Sequence, residues 1–255
     1  MPTGHGQASK QRGPYFFVHL QKTGGTALNF RLRRQFPGPQ IYPLKSDGNP
    51  FAPFKEAPQV SVEALVREWH ARRGDIRLIA GHFPLCTTEL LGDTFSTFTL
   101  LREPVERTLS FLRHRRALEP KLRDASLEQI YEQRAHFRWL IQNHMVKMFA
   151  LRTNEMTNGV FTAIDFSEAH LARAIEQLAT VDVVGFQEHL EEFCAELEQR
   201  FGWRLGNPVF ANRTADEPVS AAFRARIGAD NSLDVELYQH ALRLSASRPQ
   251  TRSIT

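Results

Sequence analysis

A lysine, two threonines and two glycines stand together at Lys22-Thr23-Gly24-Gly25-Thr26, directly after the apolar run Tyr15 to Leu20 and before helix formers that begin at Ala27. At a strand-to-helix turn these residue types bind anions. Glycine lets the backbone turn tightly and come close to a ligand. The first N–H groups of the helix have no internal partner and lie at the positive end of its dipole. Lys22 adds a full charge, and Thr23 and Thr26 add hydroxyl donors. A Walker A loop needs its lysine after the last glycine. Here the lysine comes first, which turns the expectation away from an ordinary nucleoside triphosphate loop.

Two more groups stand where a strand would end. His82 follows the apolar stretch Ile76 to Ala80 in the turn Gly81-His82-Phe83-Pro84, and an imidazole there can move a proton near neutral pH. Arg102 closes the stretch Phe95 to Leu101, and Ser110 lies two turns into the helix that begins at Val105. The arginine offers a planar fork of donors to a phosphate, and the serine adds a hydroxyl if its helix packs back on the strand. Plainer roles compete with these. His82 can be structural, Arg102 can pair with Glu103 or Glu106, and Arg113, His114, Arg115 and Arg116 can form a solvated helix end that suits the dipole.

The elements that must position these groups alternate between strand and helix. Apolar runs at Tyr15–Leu20, Ile76–Ala80, Phe95–Leu101 and Val181–Phe186 read as strands. Helical stretches are expected after Ala27, over Ser61–Arg73, from Val105 to about Leu118, over Ser167–Leu178, over Glu188–Phe201, and in two short pieces after Val219 and Ser232. A longer helical pattern runs from Ser126 to about Leu151, where Ser126 and Gln129 form a capping box. The proline-rich segment Pro37 to Pro58 and the stretch Asn207 to Glu217 read as surface loops, and Trp69, Trp139 and Trp203 as residues in or near the core. Parallel strands need crossovers, so the expected fold class is α/β, with a mainly parallel central sheet flanked by helices. Ligands in such a sheet bind beyond the carboxyl ends of the strands.

Bulk properties bound the rest. A chain of 255 residues, 42% of them hydrophobic, can bury the core of a single domain, expected over 15–255 after a polar, mobile segment 1–14. A net charge of +4 suits an anionic ligand but does not argue for nucleic acid. Cys86 and Cys194 cannot build a disulfide framework, and the histidines show no metal-binding spacing, so no metal is expected. No apolar run is long enough to span a membrane, and the first residues lack the apolar core of a signal peptide, so a cytoplasmic protein is expected.

The stretch His19-Leu20-Gln21-Lys22-Thr23-Gly24-Gly25-Thr26 resembles the H-x-P-K-T-G-G-T loop of sulfotransferases that use PAPS (3′-phosphoadenosine 5′-phosphosulfate). The branch it resembles contains heparan sulfate 2-O-sulfotransferase and its bacterial relatives. Leu101-Arg102-Glu103-Pro104-Val105-Glu106-Arg107-Thr108-Leu109-Ser110 resembles the second signature of that family, L-R-[DE]-P-V-x-R-x-x-S. The likeness continues through Gly81-His82-Phe83, Gln142-Asn143-His144-Met145 and Val183-Val184-Gly185-Phe186. It implies the P-loop-like sulfotransferase fold. It also implies that Lys22 and the Thr23, Gly24, Gly25, Thr26 loop hold the 5′-phosphosulfate, and that Arg102 and Ser110 hold the 3′-phosphate. His82 would be the general base, with Glu103 or His19 next in line. Gln21 departs from the usual proline, and Ala80 stands where some relatives carry a second histidine.

The resemblance thus implies sulfuryl transfer from PAPS to an acceptor hydroxyl, with 3′,5′-ADP as product and Lys22 and His82 as the catalytic pair; a glycan is the expected partner, with a hydrophobic or small-molecule acceptor also open. Two other functions fit parts of the pattern. A P-loop kinase or nucleotidase would want an acidic magnesium ligand at a strand end, for which Asp165 is the one loose candidate. A non-catalytic polyanion-binding protein would use the basic helix Arg113 to Arg116.

Overall fold

The computed structural model describes residues 13–44, 57–133, 137–207 and 217–247. Five parallel strands form one sheet in the order β2-β3-β1-β4-β5, with β1 at Tyr15–Val18, β2 at Ile41–Tyr42, β3 at Leu78–Ile79, β4 at Ser96–Leu101 and β5 at Val183–Phe186. The expected α/β class is therefore what the chain adopts. All four residues of β1 are buried. Successive side chains point to opposite faces, so Tyr15 and Phe17 enter one apolar layer, and Phe16 and Val18 the other.

Helix α1 (Gly25–Gln35) and the helix Leu190–Phe201 cover the first face through Leu28, Leu32, Phe193 and Leu197. On the second face lie α2 (Val62–Arg72) and the helices His144–Ala150 and Glu168–Ala179. Ser61 caps α2 by accepting from the Ala64 N–H at 3.2 Å, and the Ser126–Gln129 capping box opens the short helix Leu127–Tyr131. None of the helices among the described residues is long and apolar enough to cross a membrane.

Four expectations need correction. The Pro37 to Pro58 segment is not all loop, because Ile41 and Tyr42 are buried and pair with β3 as an edge strand; residues 45–56 lie outside the described ones. The long helix from Ser126 is broken into Leu127–Tyr131, a π-helical turn Phe137–Ile141 and His144–Ala150. Asn143 supplies the break, with a left-handed φ of 42°. Trp139, on the π turn, is 42% exposed rather than core, whereas Trp69 and Trp203 are buried. Arg113 and Arg115 are buried at 8% and 7% exposure, so the end of α4 (Pro104–Leu118), the helix after the short α3 (Thr87–Leu91), is no solvated cluster. The mobile segment expected over 1–14 and the loop around Arg213 fall largely or wholly outside the described residues.

Candidate active site

The carboxyl ends of β3, β1 and β4 are neighbours in the sheet, so His82, the Lys22 loop and Arg102 come to one edge. The loop is held by its own backbone. Lys22 and Gly24 both have left-handed φ values, 69° and 84°, a region that costs an L side chain energy and glycine little. Gly25 has no room for a side chain, since a Cβ there would lie 1.7 Å from His19 Nε2. Gly24 is closely approached by Gln187, just beyond the end of β5, whose Cγ would lie 3.0 Å from an added Cβ. Thr23 is fully buried and donates its hydroxyl to the Leu20 carbonyl at 3.0 Å, so its side chain braces the turn rather than facing outward. Thr26 is exposed. Helix α1 starts here with no side-chain cap and no acidic residue in its first turn, which leaves its positive end unneutralised.

Arg102 ties β4 to this loop by donating from Nη1 to the Lys22 carbonyl at 3.1 Å. Its Nε is buried without a hydrogen-bond partner. Lys22 Nζ has no hydrogen-bond or ion-pair partner among the described residues, and Arg102 meets no carboxylate at ion-pair distance. Elsewhere Arg31, Arg73, Arg115, Arg173 and Arg224 each reach one. Desolvation pulls the pKa of both groups down, and Arg102 lowers Lys22 further. Two cations held together with no carboxylate at ion-pair distance among the described residues make a site that a dianion would stabilise.

The carboxylates expected to compete for Arg102 are occupied. Glu103 accepts from the Glu106 N–H at 2.7 Å and so caps α4, with Pro104 in the first turn, and Glu106 is paired with Arg224. Glu103 is thereby engaged and a poor alternative base. Helix α4 makes its main packing on Leu127–Tyr131, Ala221–Asp230 and Ser232–Ser247. Ser110 lies on its half-buried side, and its hydroxyl has no partner among the described residues.

His82 is partly buried, and its Nδ1 lies 2.8 Å from the His19 carbonyl oxygen. Only a protonated Nδ1 can donate to a carbonyl, so the neutral ring keeps Nε2 as its acceptor. Burial lowers the His82 pKa below its ordinary value of 6.5, the His19 carbonyl opposes that, and the charge of Lys22 lowers it again. The ring is therefore a neutral base at pH 7. His19 is more deeply held. It stacks on Phe17 at 4.6 Å between ring centroids and meets the His82 ring at 4.2 Å with the planes tilted by 38°, its Nδ1 is 3.3 Å from the Ala80 carbonyl, and burial drives its pKa well down. Sequence reasoning named His19 only as a reserve base. It is the spacer that links the loop to the His82 turn, and the signal for it was Gly25, the one residue that can pass over its ring.

Asp165, the loose candidate for a magnesium ligand, is not at a strand end. Its side chain is 97% exposed and pairs with Arg138 at 2.8 Å. A cavity of about 580 Å³ lies at the opposite, amino edge of the sheet, lined by Tyr15, Phe36, Arg77 and Trp203. It shares no residue with the polar edge.

No protein-family model matches the chain, and no curated protein matches it. Among solved structures, a sulfotransferase from Alicyclobacillus acidocaldarius aligns over 91% of this chain and 98% of its own with a TM-score of 0.50 and 17% identity. The fold is shared with a sulfotransferase. At that identity the likeness is one of architecture, and the chemistry rests on the residues described above.

Proposed function

We propose that this protein transfers a sulfuryl group from PAPS to a hydroxyl of an acceptor, with a carbohydrate as the acceptor class. The observation that carries the proposal is the unpaired Lys22–Arg102 couple beside a histidine whose Nδ1 is committed to a backbone carbonyl. The shared fold with a sulfotransferase supports it.

When bound, PAPS supplies a sulfuryl group on a phosphate leaving group. Lys22 and the N–H groups opening α1 would hold its 5′-phosphosulfate, and Arg102 and Ser110 its 3′-phosphate; the buried, unpartnered Arg102 Nε fits an added anion. His82 Nε2 would take the acceptor proton as the hydroxyl oxygen attacks sulfur, while the Nδ1 bond to His19 holds the ring and its tautomer. Lys22 and the helix N-terminus would act where negative charge grows, and such preorganised electrostatics lower a barrier without reorganisation. Nothing in this scheme requires a metal ion.

The test is ligand-dependent thermal unfolding. Stabilisation by 3′,5′-ADP without magnesium, and none by ATP, is the expected result. A response to magnesium-ATP alone contradicts the proposal.

A further inference from the structure

The cavity at the amino edge of the sheet takes no part in sulfuryl transfer, and its floor is aromatic. Tyr15 opens β1, Phe36 follows α1, and Phe201 and Trp203 stand where the chain leaves the helix Leu190–Phe201. The rings pack edge to face, Trp203 against Tyr15 at 4.7 Å and against Phe36 at 5.1 Å between centroids. Tyr15 and Trp203 are each only 5% exposed.

Both of these rings carry one polar atom, and a tyrosine hydroxyl or indole N–H buried this far ordinarily finds a partner. Elsewhere Trp69 donates to the Leu91 carbonyl at 3.0 Å, and the hydroxyls of Tyr131 and Tyr238 donate to Asp230 and Glu188. The Tyr15 hydroxyl and the Trp203 indole N–H make no hydrogen bond to a described residue, yet neither is sealed from solvent. Each polar tip therefore opens to the cavity that its residue lines.

The rim is polar. Gln35 accepts the Arg204 N–H on its Oε1 at 2.8 Å, which leaves its NH2 group without a partner among the described residues. The side chains of Gln40 and Asp75 are exposed and make no hydrogen bond or ion pair to a described residue, and Arg77 adds a guanidinium. Donors and acceptors thus ring an aromatic floor, and the two charged lining residues, Asp75 and Arg77, balance. That combination suits an uncharged, polyhydroxylated ligand. A sugar sets C–H groups on aromatic carbon, and its hydroxyls both donate and accept. A phosphate would meet the Asp75 carboxylate, and a hydrocarbon would leave the polar tips unpaired. The volume of about 580 Å³ is that of a small-molecule site.

We propose that the amino-edge cavity is a saccharide-binding site, separate from the Lys22–Arg102 site. Helix α1 has the anion loop at one end and the cavity at the other, and its 11 residues set them about 16 Å apart. A sugar unit in the cavity is held rather than acted on, so the site is an anchor for a glycan. The proposal does not rest on the PAPS reading.

The test is calorimetric titration of the full chain with glucose, galactose, N-acetylglucosamine, maltose and cellobiose at millimolar concentrations. It compares wild type with Asp75→Asn, Tyr15→Phe, Trp203→Phe and Lys22→Ala. At least one sugar should bind wild type. Asp75→Asn should weaken it by roughly 10-fold or more, and Tyr15→Phe and Trp203→Phe, which keep a ring and remove one donor, by roughly 2- to 10-fold each. Asp75→Asn and Tyr15→Phe should keep the thermal midpoint of wild type, because neither group has a protein partner to lose. Lys22→Ala should bind the sugar as wild type does, and added 3′,5′-ADP should leave the titration unchanged. No binding by any of the sugars would overturn the site. Binding that survives in the cavity variants and is lost in Lys22→Ala would put the sugar at the other edge and overturn it too.

Discussion

Two pairs of cations have been drawn out of water in this fold, and they sit in different settings. Arg107 and Lys147 are fully buried. Arg107 donates from Nη2 to the carbonyls of Leu140 and Ile141 at 3.2 and 3.1 Å, and Lys147 donates to the carbonyls of Trp139 and Thr162. They close the end of the π turn, while Asp234 accepts from the Met145 and Val146 N–H groups and opens the next helix. Burial lowers Lys147 to about 7 and Arg107 to about 10, and raises Asp234 to about 6. Lys22 and Arg102 also have lowered pKa values, and Arg102 Nε is buried without a partner, as are Arg107 Nε and Nη1. One pair holds a broken helix together. The other is kept open at the edge where ligands bind in such sheets. Neither a displaced pKa nor an orphaned donor separates structure from function, since Arg107 Nε and Nη1 are as unpartnered as Arg102 Nε; place does, one pair lying among the carbonyls of a broken helix and the other at the carboxyl ends of the strands.

The contrast can be broken by substitution. Arg107→Ala should cost about 3–5 kcal/mol of stability, because it strands buried carbonyls and the Asp234 carboxylate, and chemical denaturation would measure it. A loss below about 1 kcal/mol would mean that the buried pair is not structural. Lys22→Ala should leave the denaturation midpoint close to wild type and lower turnover roughly 10²- to 10³-fold through lost charge stabilisation. Should Lys22→Ala unfold the protein instead, the two pairs would not differ in kind. Arg102→Ala should act mainly on binding, weakening 3′,5′-ADP by about 2 kcal/mol or more with a smaller change in kcat; calorimetry on the variant checks this.

The candidate edge was legible because strand ends and anion sites demand particular residues. Gly24 and Gly25 are required by φ and by the His19 ring, Pro104 and Glu103 by the start of α4, and each is visible as a residue type at a spacing. The break at Asn143 was not legible. The apolar stripe from Leu127 to Met148 keeps helical spacing, and the groups that force the break come from far along the chain: Asn231 accepts from the Asn143 N–H, and Arg107 and Asp234 hold the two ends. The edge strand at Ile41–Tyr42 was hidden for a related reason, since two residues carry no period and only pairing with Leu78 and Ile79 defines them. The imidazole contacts of His19 likewise follow from the adjacency of β1 and β3, which no local pattern encodes.

The central claim is that His82 acts as base in sulfuryl transfer at the Lys22–Arg102 site. Its most direct test is transfer of labelled sulfate from PAPS to a panel of glycan acceptors, followed across pH in wild type and His82→Ala. A base must be unprotonated to act and burial lowers the His82 pKa, so kcat/KM should be flat near neutral pH and fall with acid, with a midpoint below 6.5. His82→Ala should lose about 10²- to 10⁴-fold of turnover together with that limb. Transfer that persists in His82→Ala with an unchanged acid limb would contradict the account, as would no transfer to any acceptor from PAPS.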